Sequence, residues 1–130
     1  MDPKDIINSF TRDEEIEHWV VGDDTIELRG YVDEIVGMRD VAIGRAFDER
    51  VIMLLKIIVN NGGNRRICVL FWGERAIQYS EILTNRSIVT IDRAKGNERN
   101  SRFNNLNDGL GLIELSLTVA STIQVENFLF

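Results

Sequence analysis

Apolar and polar residues alternate from Thr25 to Val36, with Ile26, Leu28, Gly30 and Val32 set against Glu27, Arg29, Tyr31 and Asp33. That period of two predicts a half-buried strand, and the central Gly predicts a bulge or sharp coil. Gly37 to Arg50, with two Gly and several charges, reads as a long loop. Val51 to Val59 is a β-prone apolar run, Asn60-Asn61-Gly62-Gly63-Asn64 a hairpin turn, and Arg65 to Trp72 the partner strand. Gly73 to Leu83 places Ala76, Ile77, Ser80 and Leu83 on one side of a helix. Arg86 to Ala94 alternates again, Lys95 to Gly111 is a polar loop, and Leu112 to Val119 is a fifth strand. Thr122 to Phe130 remains as a tail with an apolar end. Upstream, Asp2-Pro3-Lys4-Asp5 has the signature of a helix start. Ile6, Ile7, Phe10, Ile16, Trp19 and Val20 fit one or two short amphipathic helices.

The element order is therefore helix, three strands, helix, two strands. A helix between the third and fourth of five antiparallel strands is the order of the OB-fold, a small, partly open barrel. A sandwich needs more strands, and an α/β sheet needs a helix after each strand. The expectation is an all-β domain with flanking helices: an acidic helical extension over residues 1–22, a five-stranded OB barrel over 23–125, and an apolar tail over 126–130.

Composition changes this picture little. At 130 residues and 44% hydrophobic the chain suits one domain with one core. No apolar stretch approaches the roughly 18 residues that span a bilayer, so no membrane partner is expected. The acidic start carries the wrong charge for a secretory or mitochondrial leader. One cysteine, Cys68, and one histidine, His18, can make neither an internal disulfide nor a Cys/His zinc site, and a reducing compartment follows. No cofactor is expected. Neither a Ser/His/Asp arrangement nor a phosphate loop occurs, and Gly62-Gly63 belongs to a hairpin, so an enzyme has no candidate site.

Charge distribution changes it more. The net charge is −6, which by itself opposes nucleic-acid binding. Residues 1–34, however, hold eleven acids and three bases, whereas 39–102 hold twelve bases and seven acids. Phosphate contact is local, screened beyond roughly 10 Å in salt, so a basic face can work on an acidic protein. Ten of the twelve bases are arginine, the residue suited to forked phosphate contacts and to stacking. The plainer reading makes them solvated strand-edge charges.

The segment Arg66-Ile67-Cys68-Val69-Leu70-Phe71-Trp72-Gly73-Glu74-Arg75-Ala76 resembles the OB domains of the replication protein A large subunit. There, a strand ending in Leu-Trp-Gly leads through an acid and an Ala into the barrel-capping helix. Ile113 to Ile123 resembles that family's last strand, and Arg29-Gly30-Tyr31-Val32 fits its first. The resemblance, which extends to meiotic and telomeric relatives, implies binding of single-stranded DNA in replication, repair, recombination or telomere protection, and a nuclear location. It also implies stacking aromatics at Trp72 and, in the last long loop, at Phe103. The domain departs from that family in its acidity, in its helical leader, and in lacking an Asp just ahead of the hairpin.

An OB groove meets an unpaired strand with a basic track and aromatic platforms. The candidate contacts are Trp72 and Phe103 with Arg39, Arg45, Arg65, Arg66, Arg93, Lys95, Arg99 and Arg102. Trp72 could equally cap the core; Phe71, on the opposite face, is expected inside. Cys68 reads as a bland strand residue. The alternative function is an OB module that binds proteins of a DNA-maintenance complex, or a second copy of itself. Its motivation is the acidic leader and the apolar end Phe128-Leu129-Phe130, which looks unsatisfied in a lone domain.

Overall fold

The computed structural model describes residues 2–44, 48–99 and 109–130. Its elements are α1 (Pro3–Asn8), α2 (Asp13–Glu17), β1 (Ile26–Ile43), β2 (Arg50–Asn60), β3 (Arg66–Trp72), α3 (Glu74–Ile82), β4 (Ser87–Glu98) and β5 (Ile113–Leu129). The strands close in the order β1-β2-β3-β5-β4, with β3 and β5 parallel and the other neighbours antiparallel. This is the OB-fold that the element order predicts.

Alternation builds the interior. Leu28 and Val32 of β1, Leu55, Ile57 and Val59 of β2, Ile67, Val69 and Phe71 of β3, Val89 and Ile91 of β4, and Leu115 of β5 fill one fully buried core. Gly30 allows β1 to coil tightly against β2, because a Cβ there would collide with the Asn60 carbonyl oxygen. Gly73, with φ +64, turns β3 into α3, whose Ala76 is buried against the core.

The leader is stitched to the barrel. Asp2 caps α1 by accepting from the Lys4 amide at 2.9 Å, with Pro3 in the first turn. Thr11 and Arg29 exchange bonds: the Thr11 amide donates to the Arg29 carbonyl at 2.9 Å, and the Arg29 amide donates to Thr11 Oγ1 at 2.8 Å. Ile16 and Trp19 pack on the core. Buried Asn61 in the hairpin donates to the Thr11 carbonyl at 2.9 Å and to Asp13 Oδ1 at 2.6 Å.

Three strands run further than the pattern predicts. β1 continues through Ile43, pairing Arg39 with Leu54 and Ile43 with Arg50. Register shifts after Val32 and Ile35 break the alternation that the sequence reading followed. β4 continues to Glu98, past a bulge at Arg93, which has φ +57. β5 continues to Leu129, so residues 126–129 are strand and not a free tail. Their alternation is hidden by the irregularity between the Ser87–Leu129 and Val89–Val125 pairs.

Phe130 is also held. Its amide donates to the Arg86 carbonyl at 2.8 Å. Its ring stacks on Tyr31 at 4.7 Å and meets Phe10 edge-on at 5.4 Å. Ile6, Phe10 and Ile88 are buried in this cluster, so the apolar C-terminal ring is covered by the chain's own leader. For Phe130 the expectation of an unsatisfied end fails, because composition could not show that the leader lies over the same sheet; Phe128 and Leu129 stay exposed.

Candidate nucleic-acid interface

Register defines the outer face of the barrel over β2 and β3. Leu54 pairs with both Arg39 and Trp72, which makes a first row Arg39–Leu54–Trp72. Lys56 pairs with Gly37 and Leu70, Leu70 with Ser116, and Ser116 with Lys95. A second row, Gly37–Lys56–Leu70–Ser116–Lys95, thus crosses all five strands. A third row holds Glu34, Ile58 and Cys68. Asn60 and Arg66 follow at the hairpin. Strand geometry puts neighbours in a row about 4.8 Å apart and successive rows about 7 Å apart.

The floor of this face is apolar. Leu54, Cys68 and Leu70 are buried, with Val41, Trp72 and Leu110 packed against them. Trp72 is half-buried: it lies on the outer face, while its neighbour Phe71 is fully enclosed on the inner one. A ring in that position has one side supported by packing and retains surface for another flat group. Burial pushes the Cys68 thiol up to about 12; the Lys56 charge opposes this, the Glu114 carboxylate adds to it, and Arg99 opposes it. Cys68 is therefore a protonated floor residue at neutral pH and not a reactive thiol.

The cations fall into two sets. Arg39 and Lys95 are exposed, and among the described residues neither pairs with a carboxylate. Arg93 is exposed in its bulge one step beyond Lys95. Its carbonyl accepts from Ser121 Oγ at 2.6 Å, and its amide donates to Asp92 at 3.0 Å. Lys56 stands half-buried in the second row. It is not among the candidate contacts of the sequence, although the signal is present there. It is the one cation in the run from Val51 to Val59, and alternation with Leu54 assigns it to the outer face.

The hairpin arginines are engaged within the chain. Arg66 donates through Nε to Asp33 at 2.8 Å and through a terminal nitrogen to Glu34 at 3.4 Å. Arg65 pairs with Glu17 of α2. Burial acts to raise the Asp33 carboxyl, but hydrogen bonds from Arg66 and Asn60 and the charges of Arg66 and Arg86 outweigh it and hold it below the usual range. Arg99 is buried, its amide donating to the Leu112 carbonyl at 2.9 Å and its guanidinium to the Gly111 carbonyl at 3.2 Å. It anchors the segment entering β5 and does not lie open to solvent.

The structure thus gathers Trp72, Arg39, Lys95 and Lys56 on one face with Arg93 at its margin, and turns Arg65, Arg66 and Arg99 toward the protein. Arg45, Arg102 and Phe103 lie outside the described residues. Of the C-terminal residues, Phe130 is packed, while Phe128 and Leu129 remain exposed. Among the described residues no group of three or more His, Cys, Asp or Glu could hold a metal ion, and no helix is long and apolar enough to cross a membrane.

No family model matches the chain, and no curated protein matches it. Its backbone resembles that of a replication protein A heterotrimer bound to ssDNA, with a TM-score of 0.61 and 14% identity over 87% of this chain and 24% of that one. It also resembles DNA-binding domain A of S. cerevisiae replication protein A, with a TM-score of 0.59 and 14% identity over 85% and 90% of the two chains. The OB domain of Ta0387 from Thermoplasma acidophilum gives a TM-score of 0.51 and 16% identity over 88% and 87%. At these identities the likeness is one of fold: the chain is an OB barrel that resembles the replication protein A domains.

Proposed function

We propose that this domain binds single-stranded DNA across the outer face of β2 and β3, with Trp72 as a stacking platform and Arg39, Lys56, Lys95 and Arg93 as phosphate contacts. The observation that carries the reading is the register. It sets a half-exposed indole and three cations from three strands within two adjacent rows. An unpaired strand offers flat base faces and a line of charge, and this face offers the complement to both. The likeness to DNA-binding domains of replication protein A supports the choice of ligand. Stacking on one aromatic ring contributes about 1–3 kcal/mol by alanine substitution. A single platform with a few cations therefore gives modest affinity, suited to use alongside other such domains in a nuclear DNA-maintenance assembly.

The test is fluorescence anisotropy with a labelled oligonucleotide of about 10–20 nucleotides, a length set by OB-fold site sizes. Binding that weakens steeply with added salt supports the proposal. Absence of binding at low salt overturns it.

A second reading, an interaction module within such an assembly, draws on the exposure of Phe128 and Leu129 at the end of β5, at 38% and 61%. If these residues join two copies, light scattering on the chain shows a dimer that Leu129→Asp returns to a monomer.

A further inference from the structure

The outer face changes sign along its length. At the α3 end stand Arg39, Lys56, Lys95 and Arg93. At the hairpin end, Asp13, Glu17, Asp33 and Glu34 surround Arg65 and Arg66, with Glu114 beside Cys68 one row inward. From the Lys56–Leu70 pair to the Asn60–Arg66 pair is four residues along each strand, about 13 Å. That exceeds the Debye length of about 8 Å at physiological ionic strength, so Arg66 and Lys56 sit in separate local fields, with Glu34, one row from Lys56, at the boundary between them.

Resting on the proposed DNA-binding reading, we infer that the carboxylates of Asp33, Glu34 and Glu17 occupy the places phosphates would take on Arg66 and Arg65, and so end the nucleic-acid track at the Gly37–Lys95 row. The Arg66 guanidinium already spends its fork on two carboxylates, at 2.8 and 3.4 Å. A phosphate arriving there must displace a tethered anion that loses no translational freedom on binding, and it meets the remaining acids as like charges. Glu17 holds Arg65 in the same way from α2, whose position is fixed by the contact between Asp13 and Asn61. The hairpin basicity visible in the sequence is therefore cancelled inside the chain, and the footprint covers the α3 half of the face.

The experiment compares the salt dependence of oligonucleotide binding in the full chain and in two charge-neutral variants, Asp33→Asn/Glu34→Gln and Glu17→Gln. Each phosphate gained steepens the slope of log affinity against log salt by about 0.7 for single strands. The inference expects a steepening of about that size in each variant, abolished when Arg66→Ala or Arg65→Ala, respectively, is added. Glu17 is exposed at the end of a short helix, so its variant keeps a readout if the Asp33 variant folds poorly. A further arm needs no acidic substitution: Arg66→Ala alone should leave the native slope unchanged. A flattening by about 0.7 in that arm, or unchanged slopes in both neutralised variants while the native chain binds, overturns the inference and leaves the DNA-binding reading standing. Failure of the native chain to bind removes both.

Discussion

Among the described residues, two apolar clusters lie on the outside of this barrel, and the chain treats them differently. On the β1–β4 side, Tyr31, Ile88 and Phe130 are roofed by Ile6 and Phe10 of the leader, and Phe10 and Ile88 are almost wholly enclosed. On the β2–β3 side, Leu54, Cys68 and Leu70 support Trp72, flanked by Val41 and Leu110, and no described helix covers them. The roofed patch has the character of core: rings in edge and stacked contact, with Arg29 reaching across to Thr90 and Glu126 at 2.7 and 3.2 Å. The open patch has a half-exposed indole rimmed by Arg39, Lys56 and Lys95. An OB barrel needs only its inner face buried to fold. What its outer faces carry therefore separates a structural extension from a binding surface.

The difference yields graded predictions. The largest effect belongs to the roofed patch. Phe10→Ala should lower the unfolding free energy by about 3–5 kcal/mol, the range for a large buried aromatic, and should leave oligonucleotide affinity of the folded fraction unchanged. Urea denaturation with parallel binding assays checks both halves. Equal losses in stability and affinity would show that the leader's patch contributes to binding.

Trp72→Ala should reverse that balance. Affinity falls by about 1–3 kcal/mol, or roughly 5- to 150-fold, while stability falls by less than in Phe10→Ala because the ring is only half-buried. Smaller again are Arg39→Ala and Lys95→Ala. Each should flatten the salt slope by about 0.7 and leave the denaturation midpoint nearly unchanged. A loss of affinity without a change in slope would remove either residue from the phosphate track.

The smallest effect is acidic. The Asn61 hydrogen bond is the main cause holding the Asp13 carboxyl below its ordinary value, against burial and with help from Asn64 and Arg65. Asp33 is lowered as well. Groups with depressed folded values stabilise the protein above the unfolded carboxylate range near pH 4 and lose that contribution as pH falls through the depressed values. Stability should therefore decline below about pH 4, and Asp13→Asn should make that decline shallower. An unchanged acid limb would remove Asp13 from its causes.

Much of the fold could be read in the residues, and the exceptions have physical causes. Alternation located the barrel strands because their inner faces are uniformly apolar, and Trp72-Gly73 marked the passage into α3. Alternation failed at Gly37, Arg93 and Thr118–Ser121, where bulges and turns shift the phase while the ladder continues. The site was half legible. Trp72, Arg39 and Lys95 are candidates in the sequence, the two cations as loop residues; the register instead sets them in strands on one outer face, where strand parity also assigns Lys56. Arg65 and Arg66 could not be judged from local sequence, since Glu17 lies 48 positions from Arg65 and Asp33 lies 33 positions from Arg66. Only the closed barrel brings those acids to the hairpin.

The most direct measurement is the emission of Trp72 itself. In a Trp19→Phe background, Trp72 is the sole indole. Titration with an unlabelled single-stranded oligonucleotide at low salt should quench its fluorescence to saturation, and added salt should restore it. Saturable binding by an independent assay with Trp72 emission unaltered would contradict stacking on this face and place the nucleic acid elsewhere on the domain.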